Sequence, residues 1–140
     1  MVRARSTRGQ ALVELGIVVV LLLTLVMGII EFGRAFMIAN MVTHAAREGA
    51  RIAAVVPATQ RSANGIILSP ASIQQQVLAE LANAMDVSAI SGVSVVQGTT
   101  GGIPTVTVTV SGQVPFVFDL PGVGTSFTVA RSATFRDEGR

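Results

Sequence analysis

The sequence predicts an α+β protein in which a long N-terminal transmembrane helix continues into a small domain, with a second helix packed on a three- or four-stranded antiparallel sheet. Three observations carry this reading. Residues Leu15 to Ile30 contain no charged side chain, apolar residues recur at helical spacing as far as Val56 and again from Ile73 to Met85, and after Asp86 the pattern changes to period two. The chain divides accordingly into a basic leader over 1–9, a spanning and spine helix over 10–56, and an α+β domain over 57–140.

The span comes first. Ala11 to Ile30 is 20 residues, which as a helix extends about 30 Å and matches a bilayer core. The run flows into further helical pattern instead of a small-residue cleavage site, which argues against a removable secretory signal. Arg3, Arg5 and Arg8 precede it, so the positive-inside tendency puts the N-terminus in the cytoplasm and the C-terminal domain outside, in a single-pass protein of the cytoplasmic (inner) membrane. Membrane lipid is therefore an expected partner.

Composition narrows the function. Half of the 140 residues are hydrophobic and 13% are charged, and the net charge is only +2. All ten basic residues are Arg, without a basic stripe interleaved with aromatics, and Trp and Tyr are absent; no nucleic-acid partner is expected. Without Cys there are no disulfides, thiolate metal sites or Cys nucleophile, and His44 alone cannot build a His-based metal cluster within one chain. No catalytic triad order, phosphate loop or metal spacing appears. The expectation is a non-enzyme with no cofactor, no metal and no small-molecule substrate.

Glu14 interrupts the start of the apolar run. A carboxylate costs on the order of 2–3 kcal/mol at the bilayer centre and less near its edge. It either stays wet at the cytoplasmic interface or finds a partner. Cutting between Gly9 and Gln10 would leave Glu14 as the fifth residue, an arrangement that resembles the processing site of type IV prepilins. The new α-amino group of Gln10 would then pair with Glu14 of a neighbouring subunit, which makes the buried charge tolerable.

Beyond the span, Ile38, Met41, Val42, Ala45, Gly49, Ile52 and Val56 form an apolar stripe, and Pro57 ends the helix. The helix from Gln10 to Val56 would be about 70 Å long. Glu31 with Arg34, and Glu48 with Arg51, are spaced for i,i+3 pairs. His44, Arg47, Glu48 and Arg51 share another face, read either as a solvated face or as contacts to another subunit. The small residues Ala35, Ala39, Ala46, Gly49, Ala50 and Ala53 would let a further helix approach closely.

The runs Arg8-Gly9-Gln10-Ala11-Leu12-Val13-Glu14, Gly28-Ile29-Ile30-Glu31-Phe32-Gly33-Arg34-Ala35-Phe36 and Ala45-Ala46-Arg47-Glu48-Gly49-Ala50-Arg51 together resemble the TadE/TadG-like family, pilin-like components of the tight-adherence (Tad) type IV pilus. The resemblance covers roughly residues 8–56; the ending Ala133-Thr134-Phe135-Arg136-Asp137-Glu138 adds a weaker match, and Leu15 departs from the aromatic often found after the Glu. It implies a minor pilin or pseudopilin whose partners are other pilin or Tad assembly subunits and a prepilin peptidase. The alternatives are an uncleaved single-span assembly or envelope protein and a filament subunit exposed in the extracellular pilus. Under this resemblance Gly9 and Gln10 form the processing site and Glu14 is the helix-assembly charge. Glu31, Arg34, Arg47, Glu48 and Arg51 are candidate subunit contacts.

In the domain, Pro57 to Ser69 reads as a loop. Ser69 is placed to cap a helix that has Pro70 at its first position, and Ile73, Val77, Leu81 and Met85 give that helix one apolar stripe. Val93 to Val96, Pro104 to Val114 and Thr125 to Phe135 read as strands, with Gly98 to Gly102 as a hairpin turn. Phe116-Val117-Phe118, ending at Asp119-Leu120-Pro121-Gly122, is either a core strand or a hydrophobic loop packed near the bilayer, or else an exposed loop that touches the membrane or a partner.

Overall fold

The computed structural model describes residues 7–118, 122 and 124–139. The basic leader residues Arg3 and Arg5, and the turn residues Asp119, Leu120 and Pro121, lie outside the described residues. In order the chain forms helix α1 (Thr7–Ala54), a 3₁₀ turn (Ala58–Gln60), helix α2 (Pro70–Ala82), a second 3₁₀ turn (Val87–Ala89), and strands β1 (Ile90–Thr100), β2 (Ile103–Pro115) and β3 (Ser126–Arg136). This is the expected α+β architecture with three strands. The chain divides into two compact units, Met1–Ala35 and Phe36–Arg140.

In the first unit the large apolar side chains from Leu12 to Leu25, with Val26, Ile29 and Ile30, are exposed. A helix stretch whose apolar side chains are exposed all round is stable where lipid or other helices cover it. Gly9–Ala54 is long and apolar enough to cross a membrane. Thr24 returns its hydroxyl to the Val20 carbonyl at 2.9 Å, satisfying that polar group within the helix.

In the second unit α1 contributes Ile38, Val42, Ala45, Ala46, Ala50, Ala53 and Ala54 to the core, α2 contributes Ile73, Val77 and Leu81, and the sheet contributes Val106, Val108, Val110, Val114 and Val129. The alanines and Gly49 thus serve packing within this chain. A Cβ on Gly49 would stand 2.4 Å from Val77 Cγ2 and 3.3 Å from a Val108 methyl, so the missing side chain lets α1 sit against α2 and β2 together. The expected approach of a further helix is taken by the protein's own helix and sheet at Ala46, Gly49, Ala50 and Ala53.

The sheet order is β1-β2-β3 with both pairings antiparallel. From Val106 to Val114 β2 alternates strictly, with even-numbered residues buried beneath the helices. Because it is the central strand, one row crosses all three: Val95, Val108 and Ala133 lie at one level, as do Val93, Val110 and Arg131.

Several local expectations are corrected. The hairpin turn is Gly101-Gly102 alone, with φ of +59° and +82°; two left-handed residues match the strand twist, so the ladder runs on through Gly98, Thr99 and Thr100. Ser69 occupies the N-cap but its side chain makes no capping bond; Ser72 donates instead to the Ser69 carbonyl at 2.7 Å. Phe116 to Phe118 leave the ladder. The Phe116 N–H bonds the Thr125 carbonyl at 3.0 Å and its ring lies 5.7 Å from that of Phe127, closing the base of the β2–β3 connection. Val117 is exposed.

Candidate functional site

The charged positions of α1 are held by the helix repeat itself. Gly9, Gln10 and Glu14 are exposed, and one turn of helix brings the Gln10 side-chain amide to donate to Glu14 Oε1 at 3.1 Å. Further along, Arg34 Nε donates to Glu31 Oε2 at 3.2 Å, with Glu31 buried. In the second unit Arg51 forks onto Glu48, Nε to Oε2 at 3.0 Å and Nη2 to Oε1 at 2.6 Å, while Arg47 and His44 are exposed. The two expected i,i+3 pairs are both formed, each within its own turn. Such a pair on an exposed face contributes only a few tenths of a kcal/mol, so Arg47 and the Glu48–Arg51 pair are left as surface chemistry.

A second cluster, unread in the sequence, lies at the C-terminal end of α1. Arg61 is buried, and its side chain is matched with Asp137, the two side chains 2% and 0% exposed. Each guanidinium nitrogen is used: Nε donates to the Val56 carbonyl at 2.8 Å, Nη1 to the Gly65 carbonyl and Asp137 Oδ2, both at 3.0 Å, and Nη2 to Asp137 Oδ1 at 2.8 Å and the Ala53 carbonyl at 3.4 Å. Arg61 therefore satisfies carbonyls at the α1 terminus that the helix cannot bond itself, and its positive charge suits that end of the helix dipole. Gln97 completes the clamp. Its amide nitrogen donates to Asp137 Oδ2 at 2.9 Å and to the Gly65 carbonyl at 3.2 Å, and its oxygen accepts the Ile67 N–H at 2.9 Å. The Glu138 N–H adds a bond to the Ala54 carbonyl at 3.0 Å. The one sequence signal for this cluster is Gln97, a polar residue that continues the inward-facing series Val93, Val95.

Burial works against the charged form of Asp137, and the Arg61 hydrogen bonds, the Gln97 amide, the Arg61 charge and the Gly139 N–H outweigh it. Its carboxyl accordingly titrates below the usual range. The unfolded chain then takes up a proton at higher pH than the folded one, so the contribution is complete above about pH 5 and is lost as pH falls through the folded value. Asp137→Asn, which carries no charge at any pH, is expected to be less stable than wild type at pH 7 and to converge on it as pH drops below about 4. Paired denaturation curves across pH check this; a constant gap would deny the linkage.

Among the described residues no three His, Cys, Asp or Glu side chains come together in a group that could hold a metal ion. No curated protein and no solved structure matches the chain. The family described as TadE-like protein matches residues 9–51, the stretch from Gly9 through Glu14, Glu31 and Arg34 to Arg51. Over residues 9–51, therefore, this chain is similar to the TadE-like family, and that likeness suggests association with the Tad pilus.

Proposed function

We propose that the protein is a minor pilin or pseudopilin of a Tad-type pilus and serves as a structural subunit, not a catalyst. The first part of α1 sits in the cytoplasmic membrane with its N-terminus inside and the 57–140 domain outside. A prepilin peptidase cuts between Gly9 and Gln10, and the released helix joins neighbouring pilin or assembly subunits through Glu14. The observation that carries this reading is one of coincidence: the TadE-like match at 9–51 contains an unbroken exposed apolar run with one carboxylate near its start. An exposed run of that length has to be covered by lipid or by other helices.

A second reading is favoured by the Gln10–Glu14 hydrogen bond. Glu14 already has a donor in its own chain, so an uncleaved, permanently anchored assembly protein can also carry it. Mass spectrometry of the N-terminus in the native host separates the two: a chain beginning at Gln10 supports processing, and one retaining Met1 or Val2 supports the fixed anchor. Glu14→Ala is expected to abolish or sharply reduce surface filaments and crosslinks to partner pilins while the protein remains in the membrane. Unchanged filaments and crosslinks would remove the assembly role of Glu14.

A further inference from the structure

The chain holds one Asn-Gly pair, Asn64-Gly65, in the 57–69 loop. The fold selects both residues. Gly65 has φ +77°, a left-handed conformation that glycine adopts without steric cost, and Asn suits the turn ahead of it. That turn is closed by the Gly65 N–H donating to the Ser62 carbonyl and the Ser62 N–H to the Ile66 carbonyl, both at 2.8 Å. The Asn64 side chain is exposed and has no hydrogen-bond partner among the described residues.

Asn followed by Gly is chemically labile, because no Cβ shields the backbone nitrogen that follows the side-chain amide. A base removes the Gly65 N–H proton and the nitrogen bonds to Asn64 Cγ. The bond from Cγ to its own nitrogen breaks, and that nitrogen takes up a proton and leaves as ammonia. Water then opens the cyclic imide, giving its hydroxyl to one carbonyl and its hydrogen to the nitrogen. Opening at the side-chain carbonyl gives aspartate. Opening at the main-chain carbonyl gives isoaspartate, in which the backbone runs through Cγ and is one carbon longer.

For the attack, the Gly65 nitrogen has to leave Ser62 and turn toward the Asn64 side chain. Gly65 is held against this from both sides. Its N–H is bound to Ser62, and its carbonyl is gripped by Arg61 Nη1 at 3.0 Å and Gln97 Nε2 at 3.2 Å. Both donors are fixed in turn on Asp137 Oδ2. All of these residues lie within the Phe36–Arg140 unit.

We infer that Asn64 is a deamidation site gated by the Arg61–Gln97–Asp137 clamp. Reaction with water proceeds when the clamp releases Gly65, so its rate follows the local opening of this segment and not the unfolding of the whole unit. The isoaspartyl product, longer between residues 64 and 65, no longer presents the Gly65 carbonyl to Arg61 and Gln97. A transient opening becomes a lasting one. The aspartyl product keeps its backbone length and closes again.

The test uses the full chain in detergent, incubated in mildly alkaline buffer, with conversion at Asn64 read by peptide mass spectrometry. Folded wild type is expected to convert at least about tenfold more slowly than the same chain unfolded in guanidinium chloride. Gln97→Met keeps the side-chain length but cannot hold the Gly65 carbonyl. It is expected to convert several-fold faster than wild type while its circular dichroism still shows a folded chain. Should that variant not fold, wild type in urea below its unfolding transition serves instead, and its rate should climb before the circular dichroism changes. Equal rates in folded and unfolded wild type overturn the gate. So does a folded Gln97→Met no faster than wild type, or a wild-type rate that climbs only with global unfolding. No conversion even in the unfolded chain removes the site. Hydrogen exchange on the two products reads the clamp itself, through the Ile67 N–H that donates to the Gln97 side-chain oxygen at 2.9 Å. This N–H is expected to lose protection in the isoaspartyl product and keep it in the aspartyl one; equal protection overturns the lasting opening.

Discussion

Asp137→Ala is expected to destabilise the Phe36–Arg140 unit by about 3–5 kcal/mol, the range for breaking a buried ion pair from one side. The reason is the partner left behind. Arg61 keeps its bonds to Ala53, Val56 and Gly65 but loses its counter-charge in a site where its side chain is 2% exposed. Against the about 5–15 kcal/mol that holds a typical domain, this is a large fraction. The chain has no Trp or Tyr, so far-UV circular dichroism in detergent, with denaturant, follows the transition. Replacing both partners together, Arg61→Met with Asp137→Leu, is expected to destabilise less than either single change, because no unpaired charge remains. A single Asp137→Ala variant within about 1 kcal/mol of wild type would contradict a desolvated pair.

The second large effect is expected at Gly112. This residue lies on β2 opposite the irregularity where the register shifts between Ile90 and Gly92. A Cβ there would stand 2.3 Å from the Ala89 carbonyl oxygen and 3.0 Å from Ile90 Cα. Both obstacles are backbone, so no rotamer change relieves them, and the second 3₁₀ turn would have to lift from the sheet. Gly112→Val is expected at or above the upper end of the overpacking range, about 3 kcal/mol. Gly98, on the neighbouring strand, provides the control: the nearest atom to its added Cβ is 4.0 Å away, and Gly98→Ala is expected to be neutral or mildly stabilising. Equal effects at the two positions would show that Gly112 is not a packing constraint.

These two sites mark where reading the sequence stops. The apolar run, the α2 stripe and the alternation of β2 were legible because each repeats with the period of its own element, and each repeat faces one environment. The i,i+3 pairs at Glu31–Arg34 and Glu48–Arg51 were legible for the same reason, being confined to single turns. Arg61 was not. It sits in a polar loop, and the carboxylate that makes its burial tolerable is 76 residues away. The same holds for the small residues of α1: Gly49 and its neighbouring alanines announce close approach, but only the tertiary arrangement shows that α2 and β2 do the approaching. Phe116 to Phe118 stayed undecided between strand and loop, since an apolar triplet serves equally as a strand or as the hydrophobic base of a loop.

Synthesis runs from the N-terminus, so Arg61 leaves the ribosome long before the carboxylate that neutralises it. Until residues 137–139 arrive, the guanidinium keeps its water, the 57–69 loop lacks its anchor, and the last carbonyls of α1 remain hydrated. A nascent chain is thus barred from completing this region early, and closure waits for the whole sheet. Loss of even these few final residues would leave an otherwise intact sequence open to proteolysis at the 57–69 loop.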